Sequence, residues 1–147
     1  MIFSYLLTFP IFAMEFLTSG SILNGVISIS WLFFLISRFK INLLASIPLA
    51  ILLSLHFDIN ILISELMIIA IISFKYFVDH NFKNFSNYLR MIISYCGAIL
   101  IFFILNSLGL ISLYLNFGFY LASLLWFVVF LLIDLVIKTI FSYEKVY

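Results

Sequence analysis

The stretch FGFYLASLLWFVVFLLIDLVIKTI, residues 117–140, decides the fold class of this chain. It is 24 residues long and carries only two charged side chains, Asp134 and Lys138. A helix needs roughly 17 to 25 mostly apolar residues to cross a hydrocarbon core about 30 Å thick. The stretch therefore predicts a transmembrane helix.

Polar interruptions divide the rest of the chain into further apolar stretches. Of the 147 residues, 67% are hydrophobic and 9% are charged, whereas an ordinary soluble domain is about half apolar and a quarter charged. A soluble core could not bury this much apolar surface, so the lipid bilayer is the predicted partner. We predict an all-α, polytopic transmembrane bundle that forms a single domain, residues 1–147, with about six spans at 2–17, 21–37, 41–57, 59–78, 91–113 and 117–140.

The basic residues predict the orientation of this bundle, because cytoplasmic loops of membrane proteins are enriched in Lys and Arg. Six spans with the amino terminus inside place all seven basic residues on the cytoplasmic side, whereas five spans would place the last two on the opposite side. The seven are Arg38, Lys40, Lys75, Lys83, Arg90, Lys138 and Lys145. We therefore predict that both termini are cytoplasmic.

Several function classes are disfavoured by what the chain lacks. There is no run of basic residues of the kind that binds nucleic acid. The single cysteine, Cys96, lies in an apolar run and offers neither a disulfide framework nor metal-ligand spacing. No HExxH, GxSxG or glycine-rich phosphate loop is present. We therefore predict no catalytic, cofactor-binding or metal site, and no enzymatic activity.

Glu65 is the residue of the predicted spans that most needs an explanation, because an ionisable group near the membrane centre costs roughly 2.5 to 3.5 kcal/mol. Lys75 is ten residues further along the same helix, about 15 Å away, and is too distant to neutralise it. A partner must come from another helix, so we predict a polar cluster in the outer half of the bundle, with Glu65, Asn106, Asp58, Glu15 and Asn24 as members. Its role is either a ligand or coupling site or a set of interhelical hydrogen bonds worth about 1 kcal/mol each.

Two further features lie toward the predicted cytoplasmic side. Asp134 and Lys138 are four residues apart on one helix face, which predicts a structural ion pair. In the loop 79–90, Phe82, Phe85 and Leu89 have helical spacing, which predicts either a short interfacial helix or a polar turn with incidental aromatic residues.

The layout of the chain resembles a known family. Arg38-Phe39-Lys40 precedes the third span, ILLSLHFD (residues 51–58) closes it and FKYF (residues 74–77) ends the fourth. A polar cytoplasmic stretch and two longer spans with a basic tail follow. This order is similar to that of the rod-shape-determining MreD family, in which an Asp follows the third span, as Asp58 does here.

The resemblance implies a non-enzymatic scaffold of the bacterial cytoplasmic (inner) membrane. Such a protein would serve the cell-elongation machinery and peptidoglycan synthesis by associating with MreC, and through it with MreB and the wall-synthesis enzymes. A competing hypothesis is a small membrane-embedded solute-binding or transport subunit, such as that of an energy-coupling transporter. Binding of a small ligand that depends on Glu65 or Asn106 would favour this second hypothesis.

Overall fold

The computed structural model describes residues 10–11, 25–39, 41, 46–110 and 117–143. Within this part of the chain all regular secondary structure is helical, which confirms the all-α prediction for these residues. The helices are α1 (Val26–Arg38), α2 (Ser46–Phe57), α3 (Ile61–Asn81), α4 (Asn87–Ser107) and α5 (Phe117–Tyr143). The predicted first span, 2–17, lies outside the described residues apart from Pro10 and Ile11.

Among the described residues, three helices are long and apolar enough to cross a membrane, namely α3, α4 and the segment Gly118–Thr139 of α5. They correspond to the last three predicted spans. The helices in the predicted spans 21–37 and 41–57 are shorter, with 13 residues in α1 and 12 in α2. At 1.5 Å rise per residue these helices extend about 20 and 18 Å, less than the roughly 30 Å of a hydrocarbon core.

The connection between α3 and α4 differs from the helical alternative predicted for loop 79–90. Helix α3 continues to Asn81, and α4 already begins at Asn87, where the Ser86 hydroxyl accepts a hydrogen bond from the backbone N–H of Leu89 at 3.3 Å. Serine is a preferred residue at this capping position because it satisfies an N–H that has no partner within the helix. The prediction of an interfacial helix is therefore wrong. The alternative, a polar turn, is observed, and it comprises residues 82–86.

Helix α1 occupies the centre of the bundle, where it contacts α3, α4 and α5. Ten of its 13 residues are buried. It begins after Gly25, whose φ of 86° lies in the left-handed region that favours glycine. Because α1 is apolar on nearly all sides, its side chains need an apolar environment, and the surrounding helices supply it. The aromatic rings of Trp31 and Phe130, with centroids 5.1 Å apart, form part of its contact with α5.

A small polar cluster lies inside this apolar core, where α1, α4 and α5 meet. The Tyr95 hydroxyl is 2.7 Å from both the carbonyl oxygen and the hydroxyl of Ser123. The Ser30 hydroxyl is 3.1 Å from the Ser123 hydroxyl and donates to the carbonyl of Val26 at 2.6 Å. Each of these three hydroxyl groups is fully buried, and together they satisfy one another without water. We call Ser30, Tyr95 and Ser123 the hydroxyl cluster.

We predict that Tyr95→Phe destabilises the protein by about 1 kcal/mol, because it removes a hydroxyl that the buried Ser123 needs as a partner. The measurement is the midpoint of thermal unfolding of the purified protein in detergent. Tyr76→Phe is the matched control, since the Tyr76 side chain is 47% exposed and its hydroxyl lies 3.5 Å from the carbonyl of Ile41. Equal midpoints for the two variants would contradict a stabilising role of the hydroxyl cluster.

Candidate functional site

Basic side chains from four helices gather at one end of the bundle. They are Arg38 of α1, Lys75 of α3, Arg90 of α4 and Lys138 of α5. We call this set, with its two carboxylate partners Asp79 and Asp134, the basic end. Each carboxylate is shared by two cations, so the six residues form two groups.

The first group is built around Asp134. Its Oδ1 accepts a hydrogen bond from Arg38 Nε at 3.2 Å, and its Oδ2 lies 3.0 Å from Lys138 Nζ. The Lys138 ammonium also donates to the Tyr88 hydroxyl at 3.3 Å and lies 4.8 Å from the centre of that ring. These contacts join α1, α4 and α5. Asp134 therefore acts between helices as well as along its own helix.

The second group is built around Asp79 and closes the turn between α3 and α4. Lys75 Nζ donates to Asp79 Oδ1 at 2.9 Å from one turn earlier on α3. Arg90 Nη1 lies 3.6 Å from the same oxygen, and Arg90 Nη2 donates to the Asn87 side chain. Asp79 thus connects the last turn of α3 with the first turn of α4.

A half-enclosed cavity of about 180 Å³ lies between the Asp79 group and Arg38 of the Asp134 group. Its polar lining comes from α1, α3 and α4 and comprises Ser37, Arg38, Lys75, Asp79, Asn87 and Arg90. Phe39 and Met91 complete the wall. The lining carries three positive charges and one negative charge. The side chains of its charged residues are 11% to 26% exposed, so bulk water screens them only in part.

The described members of the predicted outer polar cluster lie away from the basic end. Glu65 is half-buried and accepts a hydrogen bond from Ser46 of α2 at 2.6 Å, a partner that the sequence did not indicate. Asn106 lies on α4 beside Tyr120 of α5. Asp58 is exposed in the turn between α2 and α3 with φ of 51°. Glu15 and Asn24 lie outside the described residues.

Sequence reasoning treated Arg38 and Arg90 only as markers of topology, considered Lys75 besides only as a partner too distant for Glu65, and did not single out Asp79. The spacing of Lys75 and Asp79, four residues apart on one helix, is a signal that could have predicted their pairing. Arg38 and Asp134 are separated by 96 residues, and no local spacing predicts that contact. The same holds for Ser30 and Ser123, which are 93 residues apart.

Comparison with known proteins assigns the chain to no family. No family model, no curated protein and no solved structure matches the chain.

We predict that Asp134→Asn lowers the free energy of unfolding by about 1 to 3 kcal/mol, because Arg38 and Lys138 would lose their shared carboxylate in a partly buried site. The loss should show as a lower unfolding midpoint in detergent at low ionic strength. Asp58→Asn makes the same chemical change at an exposed turn whose left-handed φ asparagine tolerates. An equal shift in both variants would mean that the Asp134 charge does not hold the helices together.

Proposed function

We propose that this chain is a non-enzymatic scaffold of the bacterial cytoplasmic membrane that resembles MreD. In this proposal it crosses the membrane six times with both termini in the cytoplasm. It joins the cell-elongation machinery and supports peptidoglycan synthesis through contacts with an MreC-like protein and wall-synthesis enzymes. In this proposal the outer surfaces of its helices bind the partner proteins.

The observation that carries this proposal is the apolar outer surface of α5. Of an 18-residue apolar stretch within the segment Gly118–Thr139, only 17% is buried inside the protein. Its outward side chains are large and apolar, among them Leu121, Leu125, Val128, Leu132, Ile133 and Val136. Lipid covers such a surface, and within lipid a second membrane helix can pack on it through van der Waals contact. A long, ordered apolar face is what a scaffold offers to a membrane partner.

The ionisable groups at the basic end support a structural role over acid–base catalysis. A general acid or base must be able to exchange a proton with a substrate. Asp79 is engaged by Lys75 and Arg90, and Asp134 by Arg38 and Lys138. Both carboxylates thus hold helices together. The hydrogen bond from Ser46 to Glu65 likewise supports interhelical bonding as the role of Glu65, in place of a solute-binding charge.

The gathering of Arg38, Lys75, Arg90 and Lys138 at one end supports the proposed orientation. Positively charged groups are retained on the cytoplasmic side of the membrane. The turn 82–86 lies at that end, and Asp58 lies at the opposite end of α3.

Cysteine labelling tests the orientation. In a Cys96→Ser background, we expect Asp58→Cys to react with a membrane-impermeant maleimide in intact spheroplasts. We expect Asn84→Cys, and a cysteine added after Tyr147, to react only after permeabilisation. Both substituted positions are exposed, so accessibility within the fold does not distinguish them. Labelling of Asn84→Cys in intact spheroplasts would contradict the proposed orientation.

Site-specific cross-linking tests the scaffold function. A photoreactive phenylalanine analogue is placed at Leu125, which is 62% exposed, and in a matched control at Phe127, which is 3% exposed. The protein is irradiated in native membranes and recovered through a tag after Tyr147. We expect cell-elongation proteins to be captured at Leu125 and absent at Phe127.

Two results would overturn the scaffold proposal. One is capture of transporter ATPases with their transmembrane coupling subunit, which would identify a solute-binding or transport subunit. The other is the absence of cell-elongation proteins at Leu125 when the cross-linker is shown to react there with lipid. Depletion of the protein in the source bacterium gives an independent measurement, because a scaffold of this machinery is required for rod shape.

A further inference from the structure

The basic end holds more positive charge than its carboxylates neutralise. Among the described residues, two carboxylates, Asp79 and Asp134, are shared by four cations, which leaves a net charge of +2. Leaving charge uncompensated in a partly buried site is costly. An anion in the cavity between the two groups would relieve this cost.

Two buried hydrogen-bond donors of cavity-lining residues have no partner in the part of the chain that the structure describes. One is the Ser37 hydroxyl, whose residue is 1% exposed. The other is Arg90 Nε. Both residues line the cavity, Ser37 from α1 and Arg90 from α4. Buried donors in folded proteins are nearly always satisfied, so two donors without a described partner in residues that line one cavity favour a bound acceptor.

One backbone feature at this site favours an anion, although the carboxyl-terminal end of α1 at Arg38 opposes it. Asn87, the first residue of α4, lines the cavity. The amino-terminal end of a helix carries partial positive charge and N–H groups that have no partner within the helix. This end belongs to a helix of 21 residues and adds to the field of Arg38, Lys75 and Arg90. Asp79 also faces the cavity, but Lys75 and Arg90 offset its charge.

We propose that the cavity bounded by Ser37, Arg38, Lys75 and Arg90 binds the phosphate group of an anionic ligand. Guanidinium groups match phosphate oxygens in geometry and charge, and an ammonium adds a compact positive charge. A phosphate accepts hydrogen bonds from several directions at once, which suits donors that converge from three helices. The cavity volume of about 180 Å³ is several times the share of one water molecule.

Two sources could supply this phosphate group. One is the headgroup of an anionic phospholipid in the membrane leaflet at this end, since the basic end lies beside the apolar outer face of α5. There Leu135 and Ile137 are about half exposed, next to Lys138. The other source is a soluble phosphate ester. The site goes beyond the scaffold function and does not depend on it.

The test uses the full-length protein in a zwitterionic, phosphate-free environment, with two probes measured separately. Inorganic phosphate is titrated against the protein in phosphatidylcholine nanodiscs, with chloride at equal ionic strength as the reference. In the second arm, phosphatidylglycerol is added to the phosphatidylcholine of the nanodiscs. A bound ligand raises the unfolding midpoint by mass action. We expect at least one probe to raise the unfolding midpoint. A rise with phosphatidylglycerol alone identifies a lipid headgroup as the ligand. A rise with inorganic phosphate identifies a site that is open to soluble esters.

Three variants show whether the cavity is responsible. Arg90→Gln should weaken binding by about tenfold, as expected for loss of a charge-assisted hydrogen bond. Ser37→Ala should weaken binding several-fold without lowering the midpoint of the ligand-free protein, because its hydroxyl has no partner there. Lys83→Gln is the control, since it removes one positive charge from the exposed turn 82–86 at the same end, outside the cavity.

Two outcomes would overturn the proposal. The first is the absence of stabilisation by both probes in the unmodified protein. The second is equal weakening by Lys83→Gln and by the two cavity variants, which would show that the anion is attracted by diffuse surface charge. If Arg90→Gln does not fold, Ser37→Ala against Lys83→Gln still decides between the cavity and the surface.

Discussion

The hydroxyl cluster of Ser30, Tyr95 and Ser123 is the interaction that orders the described bundle. A hydroxyl buried among apolar side chains has no water to bind, so it must meet another polar group or destabilise the fold. Here one hydroxyl from each of α1, α4 and α5 meets the others at distances of 2.7 to 3.1 Å. Dispersion forces between apolar helices have little directionality. The hydrogen bonds therefore fix the rotation and the register of these three helices.

The register set by this cluster continues to the basic end. From Ser30 to Arg38 is eight residues of α1, about 12 Å, and from Ser123 to Asp134 is eleven residues of α5, about 16 Å. Because both pairs are in contact, α1 and α5 run in the same direction. Tyr95 contacts Ser123, and Tyr88 contacts Lys138, so α4 runs in the opposite direction. The contacts around Asp134 thus connect the same three helices that the hydroxyl cluster joins.

The hydroxyl cluster and the basic end differ in how fully their polar groups are paired. Inside the core, the hydroxyl cluster is satisfied by protein atoms alone. At the basic end, two carboxylates are shared among four cations, and Ser37 and Arg90, each with a buried donor that has no described partner, line a cavity. A satisfied cluster contributes to stability and uniqueness of packing, whereas an unbalanced one favours an additional ligand. The apolar outer face of α5 lies beside this end, so a membrane partner on that face and an anion in the cavity would act close to each other.

Composition and hydrophobic run length were enough to predict helices that can cross a membrane, because lipid leaves a polypeptide few ways to satisfy its backbone. The spacing of Asp134 and Lys138 also predicted their pairing, because residues four apart lie on one face of a helix. Contacts between residues far apart in the sequence could not be predicted in this way. Sequence reasoning selected Glu65 as the centre of a polar cluster, whereas its hydrogen-bond partner is Ser46, and it left Asp79 and Tyr95 aside. Helical periodicity determines which face a residue occupies, but which faces meet depends on the packing of all helices together. The sequence by itself therefore determined the helical, membrane-compatible class of the protein, and only the tertiary structure decided which of its few polar groups meet.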